Sequence, residues 1–145
     1  MRTAMNSIEY CFTPVLTSPA GSCLTLSNWQ QAGIHRGVYH LASLLTKPGR
    51  DILRDFNNLR NYTAWPGIII LNACLPSISK AGDYVIRSPY DGSTVEISKK
   101  DLLALVGHLQ PDYVIFPEHF SEENLFCGPA APIFLVPGIN HLEGD

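Results

Sequence analysis

Charge is scarce in this chain: Asp, Glu, Lys and Arg make up 16% of its 145 residues, against roughly 25% in ordinary soluble domains. So thin a charged surface predicts apolar area that meets a partner. The balance is slightly acidic, with a net charge of -3 and a pI of 5.9. This excludes a general affinity for nucleic acid, which rests on clustered cations; any RNA contact has to be local. Cysteine is sparse as well. Cys11, Cys23, Cys74 and Cys127 are widely spaced with no C-x-x-C pair, which argues against a zinc ribbon and a dithiol redox motif and predicts reduced, mostly buried thiols. The longest apolar run, 68–71, falls far short of the roughly 20 residues that cross a bilayer. Near the amino end, Arg2 is followed by no sustained apolar stretch of the signal-peptide kind. A soluble, cytoplasmic protein without membrane contact is the expectation.

Against these absences, 46% of the residues are hydrophobic, enough for one domain over 1–145 to bury a core without disulfides or metal. No repeat, low-complexity segment or linker interrupts it. Ser27 followed by Gln30 has capping-box spacing and Gly33 offers a left-handed stop, so a short helix is predicted over 28–32. A strand near 34–39 follows. Pro48 suits the first turn of a second helix with Ile52, Phe56 and Leu59 on one face, and 67–71 reads as a parallel strand buried on both sides.

Two apolar segments, 84–87 and 94–97, flank Tyr90-Asp91-Gly92-Ser93, whose Asp-Gly step predicts a hairpin turn with Asp91 as turn former. Ser98 with Asp101 caps a third helix whose inner face is Leu102, Leu105, Val106 and Leu109, ended by Pro111. Strands over 113–116 and 133–136 come next, each stopped by a proline, Pro117 and Pro137. Strands alternating with helices imply parallel pairing through crossover connections. The predicted fold is α/β, a partial (β/α) barrel of parallel strands with crossover helices plus a β-hairpin. In such a fold the polar site lies at the carboxyl ends of the strands. Tyr39 with His40, Asn72, and Glu118 with His119 fall just past three successive strands and are expected to share one rim.

Three blocks now carry a resemblance. Pro14-Val15-Leu16-Thr17, then Tyr39-His40-Leu41 with Lys47-Pro48-Gly49, then Arg87-Ser88 through Asp91-Gly92-Ser93 resemble Pro-Val-Gly-Thr, Tyr-His-Leu with Arg-Pro-Gly, and Arg-Ser-x-x-Asp-Gly-Ser of the tRNA-guanine transglycosylases. These enzymes, also called queuine tRNA-ribosyltransferases, exchange a guanine in tRNA for a deazaguanine on a (β/α)8 barrel. The blocks agree in order and spacing over residues 12–119, and three in register are far more specific than any one.

The departures bear on chemistry. Where the family has Thr-Asp-Ser-Gly-Gly-Phe-Gln, this chain has Leu71-Asn72-Ala73-Cys74-Leu75-Pro76-Ser77. By the resemblance, the acid-base aspartate becomes Asn72, an amide that cannot exchange a proton near pH 7. A serine that helps hold the base becomes Ala73, the asparagine before Tyr-His aligns with Gly37, and the base-reading aspartate aligns with Glu118. Asn72, Ala73 and Glu118 are therefore the candidate base-binding positions, and Tyr39, His40 and His119 the candidate rim. The resemblance further implies that the nucleophile and the Cys, Cys, Cys, His zinc site belong to the later half of the barrel, and nothing after His119 resembles them. A full barrel takes about 250 residues, so the chain resembles the amino-terminal half, and no cofactor or metal is expected.

Other readings of single residues are blander. His40 suits a hydrogen-bonded structural role, and adjacent Glu118 and His119 usually point apart. Asn72 suits a hydrogen-bonding residue that keeps a pocket's shape. Lys47, Arg50 and Arg54, interleaved with Asp51 and Asp55, read as an internally paired, solvated helix face rather than a phosphate patch. Cys74 as a nucleophile needs a base, for which His119 is the candidate. The functional expectation is a non-catalytic transglycosylase-like protein, an accessory or binding subunit linked to tRNA queuosine modification. Its partner would be a second copy or a catalytic transglycosylase, with tRNA a weaker expectation. The alternatives are a self-associating structural module without an RNA role, an enzyme with new chemistry at the rim using Glu118, His119 and His40, and a folded remnant without activity.

Overall fold

In the computed structural model, residues 12–117 and 131–134 are described, the latter as backbone. The first helix, α1 (Leu26–Gln31), begins at a capping box made by Thr25 and Asn28. The cap is thus two residues earlier than the Ser27 spacing predicts, because Asn28 serves as the reciprocal side chain in place of Gln30. Gly33 follows at φ +78, the left-handed stop foreseen. Strand β1 (Arg36–His40) leads into α2 (Leu41–Leu44) and then an irregular turn, Leu45–Gly49.

That turn corrects the expected second helix. Lys47 is extended and Gly49 sits at φ +98, so Pro48 lies ahead of the helix rather than in its first turn. Helix α3 (Arg50–Asp55) is short, and Asn58 caps a separate α4 (Leu59–Thr63). The inner position of α3 is Leu53, fully buried, while Ile52 is 47% exposed. The buried position thus lies one residue, roughly 100° round the helix, from the Ile52 position expected.

Strand β2 (Ile68–Asn72) is followed by β3 (Tyr84–Arg87) and β4 (Thr94–Ile97), an antiparallel hairpin with Arg87 opposite Thr94. Its turn is held as predicted. Asp91 Oδ1 accepts from Ser93 N at 2.9 Å and from Ser93 Oγ at 2.7 Å, and Gly92 adopts φ +75. These bonds hold the Asp91 carboxyl below its ordinary value. Helix α5 (Lys99–Leu109) is capped by Ser98, whose Oγ accepts from Asp101 N, and buries Leu102, Leu105, Val106 and Leu109. Strand β5 (Tyr113–Phe116) comes next, and β6 (Ala131–Phe134) starts two residues ahead of its predicted place.

The strands β1, β2, β5 and β6 form one parallel sheet in that order, with His40 beside Asn72 and Asn72 beside Ile115. A further parallel bridge extends it at β1: Val15 pairs with Val38, Leu16 N donating to Val38 O at 2.8 Å and Val38 N to Pro14 O at 2.9 Å. Each strand of this sheet thus lies beside the next one in the chain, with helices between β1 and β2 and between β2 and β5, the succession of a (β/α) barrel. Among the described residues the sheet stays open, which makes the barrel a partial one.

One face of this sheet is covered. Tyr39, Ile69, Leu71, Val114 and Phe116 point into the core with Leu53, Leu59, Trp65 and the apolar face of α5. The opposite face carries Val38, Ile68, Ile70 and Ile115, all half-buried, and Tyr113, 40% exposed. Burial of β2 on both sides, as its unbroken apolar run suggested, is therefore not found: burial alternates, since no second layer lies on that face among the described residues.

Candidate functional site

The carboxyl ends of the strands form the rim. At the first of them Thr17, just past the Val15 bridge, offers its Oγ1 to His40 N at 3.0 Å. This ties the Pro-Val-Leu-Thr segment to the end of β1 through a backbone donor that the sheet leaves over. His40 and Asn72 are register partners, so their side chains leave on the same face of the sheet. Both are half-buried, and burial holds the His40 imidazole below its ordinary pKa. At neutral pH the imidazole beside Asn72 in the register is therefore neutral rather than a fixed cation.

Asn72 is engaged locally. Its Oδ1 accepts from Cys74 N at 3.0 Å, closing a turn over the residue after the strand. Ala73 is fully buried, and its N donates to Ile115 O at 2.9 Å, so the backbone stays attached to β5 beyond the end of β2. A buried methyl in that position has nothing to offer a ligand. Cys74 follows, half-buried, its Sγ 4.0 Å from Ile115 O. Near it Tyr84 is fully buried, and its phenol is pushed up to about 12, chiefly by burial and then by the Cys74 sulfur.

Tyr39 does not join this rim. One residue before His40 it points to the covered face, where burial raises its phenol and a hydrogen bond with Thr63 partly offsets the rise. The strand's two-residue period separates it from its neighbour. Gly37, two residues earlier on the same face, is packed so closely that a side chain there meets Leu16 and the Trp65 ring. The asparagine of the family pattern would displace the Leu16 side chain from this position. Glu118 and His119, with Cys11 and Cys127, lie outside the described residues.

The remaining expectations about charge and thiols are corrected. Lys47, Arg50 and Arg54 make no ion pair with Asp51 or Asp55; the salt bridge among the described residues is Arg60–Asp112 at 2.8 Å. Lys47, displaced from the helix by the irregular turn, instead sets its Nζ 5.4 Å from the centroid of the Tyr90 ring. Cys23 is exposed rather than buried. Among the described residues no group of three or more His, Cys, Asp or Glu side chains is placed to hold a metal ion. No helix among them is long and apolar enough to cross a membrane.

A feature the sequence did not disclose is a cleft of about 460 Å³ beside the rim. It opens between the residues that follow β1 and the β3–β4 hairpin, with Thr17, Ser43, Thr46, Ser77, Arg87 and Tyr90 in its wall. The available signal was an arginine just before the hairpin turn and a tyrosine within it, which reads as surface without the fold that brings the β1 corner against it.

No protein-family profile matches the chain. Over 117 residues it is 25% identical to a queuine tRNA-ribosyltransferase of Methylacidiphilum infernorum (isolate V4), an alignment covering 75% of this chain and 31% of that protein. The chain thus spans about a third of the length of the curated relative that it matches. At this level of identity the chain is a distant relative of the queuine tRNA-ribosyltransferases.

Proposed function

We propose that this chain is a non-catalytic relative of the tRNA-guanine transglycosylases that contributes binding surface to tRNA queuosine modification in the cytoplasm, together with another protein chain. The observation that carries this reading is Asn72. At the rim position where the resemblance places the acid-base aspartate stands an amide whose oxygen is engaged by Cys74 N. An amide neither holds nor releases a proton near pH 7, so the base-exchange step loses its proton relay. Ala73 removes the neighbouring hydroxyl.

The half-exposed sheet face supports the protein partner. Ile68, Ile70 and Tyr113, with Arg36 at the edge, line a groove of about 260 Å³ on it, and apolar surface of this kind marks interaction sites. A second reading follows from the same face: two copies of the chain cover it mutually, without any RNA role.

Guanine exchange into tRNA is the test, measured with the chain alone, with the Asn72→Asp variant, and with a catalytic transglycosylase added. The expected result is no turnover by either form alone and co-purification with the catalytic enzyme at modest salt. Exchange by the unmodified chain alone would overturn the reading. Light scattering separates the self-associated form from the heteromeric one.

A further inference from the structure

The cleft beside the rim has a chemistry of its own. Arg87 is the one charged side chain in its lining, and among the described residues it has neither an ion-pair nor a hydrogen-bond partner. No carboxylate lines the cleft, so nothing there neutralises the guanidinium. Thr17, Ser43 and Thr46 of the β1 side and Ser77, whose carbonyl accepts from Val85 N of the hairpin, are hydroxyl residues of the lining. Tyr90 is 70% exposed, with Lys47 Nζ 5.4 Å from its ring centroid, so most of its surface is open to a planar group. The volume falls within the roughly 300–1,000 Å³ of small-molecule sites, and its place past the strand ends is where α/β folds bind ligands.

We infer that this cleft binds a phosphorylated nucleoside. The guanidinium fork suits a phosphate, which it meets with two parallel hydrogen bonds. Hydroxyl side chains suit sugar and phosphate oxygens. The open ring face of Tyr90 stacks a base, with Lys47 adding charge next to the phosphate. A free nucleoside 5'-phosphate and one residue of single-stranded RNA present the same groups, and both sources fit. The RNA source deepens the function proposed above, whereas the free nucleotide stands without it.

Titration of the full chain, followed by NMR and calorimetry, tests this with guanosine 5'-monophosphate, guanosine, inorganic phosphate and a single-stranded heptaribonucleotide as probes. Guanosine 5'-monophosphate is expected to saturate and to perturb Arg87 and Tyr90. Arg87→Ala should weaken it by about tenfold or more, the loss of a charge-assisted contact. Tyr90→Ala should weaken it by a similar factor through lost stacking. Guanosine should bind the unmodified chain no better than the nucleotide binds Arg87→Ala. Tighter, salt-sensitive binding of the oligonucleotide assigns the RNA source; equal or weaker binding assigns the free nucleotide.

Both residues are solvent-exposed, so the variants keep the fold, and Arg87→Gln serves as a shape-conserving second variant. The absence of saturation by nucleotide and oligonucleotide at millimolar concentration would overturn the inference, as would binding untouched by either substitution. Nucleotide binding in a chain that captures no transglycosylase would reject the accessory role and leave this site standing.

Discussion

Replacing Arg60 by alanine should loosen the sheet from its amino-terminal end. From α4, Arg60 Nη1 donates to Trp65 O at 2.8 Å and to Gly67 O at 2.6 Å, while Nη2 meets Asp112 Oδ2 at 2.8 Å. The same Asp112 oxygen accepts from Ile69 N at 2.8 Å, and Asp112 N donates to Ile69 O at 3.0 Å. One guanidinium thereby joins a helix to the entries of β2 and β5, the two strands whose far ends hold Asn72 and Ile115. Both charged side chains are 42% exposed, so the ion pair itself contributes only about 0.2–1 kcal/mol. The two bonds to carbonyls are charge-assisted, worth about 1.5–3 kcal/mol each when buried and about half that at this exposure. Together with the ion pair they predict a loss of about 2–4 kcal/mol for Arg60→Ala. Asp112→Ala should cost about 2 kcal/mol, since Ile69 N loses its acceptor as well. The two should couple by about 1 kcal/mol in a double-mutant cycle. Urea denaturation followed by tryptophan fluorescence measures all three. A loss below about 0.5 kcal/mol for Arg60→Ala, the level of an unremarkable surface change, would refute the clamp.

The shifted start of α3 is checked by a pair of neighbouring substitutions. Leu53→Ala should cost about 2–5 kcal/mol as a core truncation, and Ile52→Ala less than about 1 kcal/mol; equal losses in urea midpoints would restore the face predicted from sequence. His40 should impose a pH dependence. Its folded pKa lies below 6.5, so the unfolded chain binds more protons and the contribution to stability is complete above pH 6.5. That contribution is lost as pH falls from there towards the lowered folded value. Denaturation midpoints of the protein and His40→Asn, compared between about pH 5 and 8, should differ in slope across that window, and parallel curves would count against a buried neutral imidazole.

The local devices were legible because they are written in neighbouring residues. Ser98 and Asp101 cap α5 and its apolar period marks the four buried positions, as read. Asp91, Gly92 and Ser93 close their hairpin with bonds spanning two residues. Parallel pairing followed from the alternation of strands and helices. The errors fall where a competing local choice is nearly equivalent. Thr25 and Ser27 are both able N-caps, and the reciprocal Asn28 side chain selects the first. Pro48 is acceptable at a helix start, yet an extended Lys47 and a left-handed Gly49 postpone the helix to Arg50.

By itself, then, the sequence determined the α/β class, the hairpin and the capped helix, because caps, turns and periodicity act over a few residues. Tertiary structure alone decided that the covered face of the sheet takes Tyr39 rather than His40 and Asn72, and that Gly37 packs against Leu16 and Trp65. It also decided that Arg60 reaches Asp112 across 52 positions and that Arg87 and Tyr90 share one cleft with Thr17, Ser43 and Thr46 of the β1 corner. Those contacts join segments far apart in the chain, and no local propensity encodes which distant surface a side chain will meet.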